Sequence, residues 1–174
     1  MASIATEAGV AVQSLYLRFG GKLEILRAAF DFAIVGDLEP VPFLERAWFP
    51  RFRGTEHGPE AVRVFVAEVS QLASRTYPIY AVILGAAASE VGELLREIKL
   101  QRYEGIRAVA QELKGKPGFR AGLSPRMAAD LIYGQVSEEQ YGLMVADRGW
   151  SAEAWERACS DILIESLFQK TRQQ

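Results

Sequence analysis

Residues 3–26 confine this chain more tightly than any other stretch, because they read as two short helices joined by a tight turn, with a third helix following at once. Ile4, Ala5 and Ala8 put small and apolar groups on one face of the first helix, and Gly9 permits a turn that a side chain would strain. Val10 is expected to plug that turn from inside. Leu15 and Phe19, spaced i,i+4, give the second helix its own buried stripe. Gln13, Ser14, Tyr16, Leu17 and Arg18 point elsewhere, and their chemistry suits the floor of a DNA major groove. Gly20-Gly21 ends the second helix. Lys22 opens the third, where its ammonium and the free backbone N–H groups can meet a phosphate.

The order I-A-x-x-A-G-V-x-x-x-x-L-Y-x-x-F-x-x-K-x-x-L closely resembles the DNA-binding motif of the TetR family of bacterial one-component regulators. Three amphipathic helices of a generic bundle would account for Ile4, Leu15, Phe19 and Leu26, but not for the Leu-Tyr pair, the Gly-Gly-Lys step or the polar outward face. The resemblance implies that Gln13, Ser14, Tyr16, Leu17, Arg18 and Lys22 touch operator DNA. Arg18 would bond guanine, Gln13 adenine, and Leu17 a thymine methyl, while Tyr16 would offer its phenol to a phosphate. The chain departs from the family pattern at Ala11, where a Ser or Thr usually caps the recognition helix. Family members also begin with a further helix preceded by a basic arm, whereas Met1 here falls at or inside the first turn of their second helix. The head is therefore expected to be an incomplete helix-turn-helix, with Ile4, Ala8, Leu15, Phe19 and Leu26 partly uncovered and no N-cap on its first helix.

Net charge supplies weak support. The whole chain carries −2, so no global basic field advertises nucleic acid. Residues 1–27 hold Arg18, Lys22 and Arg27 against Glu7 and Glu24, a local +1 that leaves −3 for the remainder. No carboxylate occurs from Gly9 to Leu23, as a phosphate-facing surface requires. One cysteine excludes an internal disulfide, and the N-terminus shows no signal-peptide pattern. The longest uncharged apolar run, Tyr80 to Ala88, is far too short for a bilayer. The expectation is a cytoplasmic protein without membrane contact.

Beyond the motif, strand signals are nearly absent and helical periodicity recurs, so the fold class is all-α. Leu23–Val35 should form a strut that stops at Gly36. Glu39–Gly58, rich in Pro and Gly, reads as a connection holding one short helix around Phe43–Trp48. Pro59 starts a helix that reaches about Arg75, and Pro78 starts another running into Gly85-Ala86-Ala87-Ala88. A long helix should span Glu90 to Lys114. Ser124-Pro125, the Ser137-Glu138-Glu139-Gln140 capping box and Ser151 mark three further starts. Residues 1–36 form the head and its connecting helix, and residues 37–174 a body that the resemblance assigns to ligand binding and dimerisation.

In the family, an inducer sits in a cavity of the helical body, and the last two long helices form a four-helix bundle across a two-fold axis. The first implies a small-molecule partner, with Phe65, Tyr80, Arg102 and Tyr103 as candidate lining; core packing is the plainer reading of each. The second implies a homodimer, with Met127, Leu131, Tyr141, Trp155, Ile162 and Leu163 at the seam. His57 reads as an exposed loop residue and Cys159 as a buried, inert thiol. No spacing of soft ligands suggests a metal, no nucleophile–base pairing suggests an enzyme, and no cofactor is implied. The expected function is a ligand-responsive transcriptional regulator, a repressor, that binds a near-palindromic operator as a dimer. The alternative is a dimeric ligand-binding or interaction module that no longer reads DNA.

Overall fold

The chain is known from a computed structural model, which describes residues 1–36, 43–86 and 90–169. Regular structure among them is helical throughout; the sole extended pairing there is an isolated bridge between Phe119 and Phe168. The head consists of α1 (Ala2–Ala8), α2 (Val12–Phe19) and α3 (Lys22–Val35). Gly9 takes a left-handed conformation (φ 64°), which lets Val10 N–H turn back to the Ala5 carbonyl at 3.0 Å. Neither Met1 nor Ala11 caps its helix with a side chain. Val10 is exposed and does not plug the turn, whereas Leu15, expected to be partly uncovered, is buried. Ile4 and Ala8 are exposed, and Phe19 and Leu26 are partly so.

The body comprises α4 (Trp48–Gly54), α5 (Gly58–Gly85), α6 (Val91–Lys114), α7 (Pro125–Gln135), α8 (Glu138–Tyr141) and α9 (Ala152–Leu167). A 3-10 turn, Phe43–Glu45, precedes α4, and a π-helical segment, Gly142–Asp147, follows α8. The short helix of the connection thus begins at Trp48 instead of ending there. Trp48 and Phe52 both enter the core, and Trp48 Nε1 donates to the Phe43 carbonyl at 2.8 Å, so the rings decide where the helix lies.

Pro78 does not start a helix. It sits inside α5, a single helix of 28 residues. Proline gives no N–H to the Ser74 carbonyl, but Pro78 and Ser74 both lie on the exposed side, where water can serve that oxygen. On the other side Ala73, Thr76, Tyr80 and Ile83 are buried without interruption, and their packing carries the helix through. The three serine starts hold: Ser124, Ser137 and Ser151 accept from the N–H of Met127 (3.1 Å), Gln140 (3.1 Å) and Ala154 (3.2 Å). The capping box is only half made, because the Gln140 side chain accepts from Trp155 Nε1 instead of returning to Ser137. Of the small-residue stretch, Ala87 and Ala88 lie outside the described residues, as do Pro40 and Pro42.

Two apolar cores result. The larger joins Trp48, Phe52, Phe65, Leu113, Trp155 and Leu163 with their neighbours on α4 to α9. The smaller joins Phe30 of α3 to Tyr80 and Ile83 of α5 and to Leu94, Leu95 and Ile98 of α6. Through this second core the head is fastened to the body. Arg75 of α5 adds to it, donating from Nε to the Ala33 carbonyl (3.2 Å) and from Nη2 to that of Ile34 (3.4 Å). These are the free carbonyls of the α3 C-terminus, where a cation is also favoured by the helix dipole.

Candidate functional site

On α2, burying Leu15 turns the rest of the helix outward. Gln13, Ser14, Tyr16, Leu17 and Arg18 are all exposed, and so is Lys22 at the start of α3. Leu17 is 89% exposed and takes no part in the packing of the head. All six residues expected to face DNA are thus exposed; the nearest carboxylate to them in sequence after Gly9, that of Glu24, folds back over Gly20-Gly21.

In the body, a cavity of about 760 Å³ opens between the two cores. Phe30 and Ile34 of α3, Phe43, Trp48 and Phe65 form its aromatic and aliphatic walls, and α6 contributes Ile98, Ile106 and Val109. Its volume falls in the range of pockets that hold drug-sized molecules. Two of the four expected lining residues, Phe65 and Arg102, border it. Tyr80 is fully buried beside it, and its hydroxyl donates to Glu139 Oε1 at 2.5 Å. Tyr103, although next to Arg102 in sequence, faces α7 instead: its hydroxyl donates to Asp130 (2.7 Å) and its ring meets Tyr133 edge-on. Successive residues of a helix diverge by about 100°, which is why adjacency did not bring the pair together.

The polar end of the cavity is a compact network that the sequence reading took for a capping box. Arg102 pairs with Glu138 through Nη1 and with Glu139 through Nη2 (3.1 Å), and Nη2 also reaches the Tyr133 hydroxyl (3.1 Å). Its guanidinium lies 4.7 Å from the centre of the Tyr133 ring. Lys99 Nζ completes the set at 2.8 Å from Glu139. Burial alone would raise the Glu139 carboxyl, but hydrogen bonds from Lys99 and Tyr80 and the charge of Arg102 outweigh it and hold it at about 2. Burial and the neighbouring Glu139 push the Tyr80 phenol far above its ordinary value, so it stays a donor. Burial would weaken the Arg102 charge, yet Glu138 and Glu139 more than offset this and raise its pKa. No sequence signal links Arg102 to glutamates 36 and 37 residues away.

The six residues expected at a dimer seam divide in half. Met127, Leu131 and Ile162 are 53%, 40% and 47% exposed, on the neighbouring helices α7 and α9. Tyr141, Trp155 and Leu163 are instead enclosed by the chain's own core, with Trp155 packed edge-on against Tyr141. An amphipathic stripe identifies residues that must be covered without saying by what. Cys159 is buried, and burial raises its thiol to about 11, as suits an unreactive side chain. His57 is exposed. Among the described residues no cluster of His, Cys, Asp or Glu is arranged to hold a metal, and no helix is long and apolar enough to cross a membrane.

No protein-family model matches the sequence, and searches of curated proteins and of solved structures return no significant match.

Proposed function

We propose that this chain is a ligand-responsive, DNA-binding transcriptional regulator of the TetR kind, acting as a repressor on a near-palindromic operator. The observation that carries the reading is the exposure of Gln13, Ser14, Tyr16, Leu17 and Arg18 around a helix anchored by Leu15. Such a helix has the dimensions and the polar surface that a major groove admits. The finer architecture follows from the same reading. Phe30 and Ile34 lie on the strut that carries the recognition helix and also border the cavity, so a bound molecule touches the element that aims the reader. A ligand with different affinity for two settings of that strut would shift the population between them. Met127, Leu131 and Ile162 supply an exposed apolar surface suited to an isologous contact with a second copy.

The test is fluorescence anisotropy of the full chain against duplexes from its own upstream region, over a salt series. A regulator prefers one duplex over its scrambled version, and affinity falls steeply as salt rises. Equal affinity for both duplexes at every salt concentration refutes the reading.

A second reading, a dimeric ligand-binding or interaction module that does not read DNA, is favoured by one feature. In α1 and α2 only Ala5 and Leu15 are buried, while Ile4, Val10 and Val12 are exposed, so the two helices of the reader hold each other weakly. This reading expects self-association with no preference for any duplex. Sedimentation of the full chain as a folded monomer at micromolar concentration excludes the dimer in both readings.

A further inference from the structure

We infer that the cavity of the body takes a bulky aromatic cation, with the apolar part of the molecule inside and its positive group at the mouth. The inference rests on reading the cavity as a ligand site and adds the chemical class of the ligand. Three observations carry it.

The walls are apolar and rich in rings. Phe30, Phe43, Trp48 and Phe65 border the space, so an occupant gains most by burying aromatic surface against them. The faces of such rings also carry negative electrostatic potential, which attracts a cation and repels an anion.

The only basic residue bordering the cavity among the described residues is Arg102, and both its terminal nitrogens are already engaged. Glu138, Glu139 and Tyr133 take the donors of its two terminal nitrogens, leaving only the buried Nε–H without a partner, and Lys99 also serves Glu139, so two cations face two carboxylates with no net charge left over. A carboxylate or phosphate entering here finds at most the single Nε–H; to gain a full guanidinium pairing it would have to break an ion pair that is largely withdrawn from water, leaving a glutamate without its partner.

The mouth bears the opposite sign. Glu45 from the turn before α4 and Glu104 from α6 border the cavity, and both are exposed, as are their neighbours Leu100 and Gln101. Glu104 is balanced by Arg107, at 3.0 and 3.1 Å to its two oxygens. For Glu45 no ion pair occurs among the described residues, so its carboxylate is open to a ligand's polar group resting there. A positive group there keeps its water on one side and avoids the full penalty of burial.

The experiment uses three fluorescent probes of one shape on the full chain: anthracenylmethyl-trimethylammonium, anthracenemethanol and anthracene carboxylate. The expected order of affinity is ammonium first, tighter than the alcohol by about fivefold to tenfold, and the carboxylate last. Glu45→Gln, an exposed change that leaves the fold intact, should reduce the ammonium's advantage by about threefold and leave the alcohol unaffected. Raising the salt concentration should erode the same advantage. Carboxylate binding as tight as the ammonium's, equal affinity for ammonium and alcohol, or binding of none of the three overturns the inference. No DNA enters this measurement, so its failure leaves the duplex experiment to judge the DNA-reading proposal by itself, and failure there leaves the cavity's preference standing.

Discussion

The head and the body reach order by different routes. In the body, α4 to α9 enclose Phe52, Trp155, Leu163 and Leu167 at essentially no exposure, so the helices hold one another. In the head, α1 and α2 bury Ala5 and Leu15 alone. What fixes the head lies on α3, where Phe30 enters the second core and Arg75 of α5 binds the last carbonyls. Helices that leave most of their side chains in solvent bury little and take their rigidity from a neighbour. The comparison therefore predicts that damage to the body spreads to the head, and that damage to the head stays there.

The largest effect should come from Trp155→Ala. Removing a fully buried indole from the main core costs about 3–5 kcal/mol, so calorimetry should show one large fall in Tm that takes the head along. A smaller break is Phe30→Ala, at about 3 kcal/mol for the ring it removes from the second core. Here limited proteolysis should cut between α1 and α3 while the fluorescence of the buried Trp155 stays native. Loss of both together would mean that head and body are one cooperative unit. Acid supplies the third test. The folded Glu139 carboxyl sits at about 2 against an ordinary 4.5, so its contribution is complete above pH 4.5 and is lost as pH falls toward 2. Tm should drop across that window, and Glu139→Gln should flatten the drop; an unchanged profile in the variant would remove the network from the body's stability. The smallest stability effect belongs to Leu17→Ala, within about 0.5 kcal/mol, because the side chain is already in water. Anisotropy should nonetheless register a weaker preference for the bound duplex.

Many helix boundaries were legible because they are written in local chemistry. Gly9, Gly20 and Gly36 all adopt positive φ where the helices end, and Ser124, Ser137 and Ser151 cap where helices begin. Pro78 misled for the same reason: proline is a local signal, and what overrides it is the buried face formed by Ala73, Thr76, Tyr80 and Ile83, a matter of tertiary packing. The stripe of α9 was visible, but its division was not. Leu163 went to the chain's own core and Ile162 to the surface, although they adjoin in sequence and are equally apolar. The polar end of the cavity was the least legible part. Ser137-Glu138-Glu139-Gln140 carries a helix-start pattern that fully explains itself, and nothing in it announces that both glutamates serve Arg102 on another helix. Of the four residues chosen by their places on long helices, Phe65 and Arg102 border the cavity, whereas Tyr80 lies buried beside it and Tyr103 turns to Asp130.

Pro78 has a mechanical consequence. It leaves a gap in the backbone ladder of α5 between Ala73, which belongs to the main core, and Tyr80, which belongs to the second. A rod with one rung missing flexes there before it flexes anywhere else. The part of α5 before the gap packs in the main core and the part beyond it packs on the head's strut through Phe30 and Tyr80, while Arg75 ties the strut at the joint itself. Bending of this helix is therefore expected at that one joint, where it would swing α2 as a lever swings its far end.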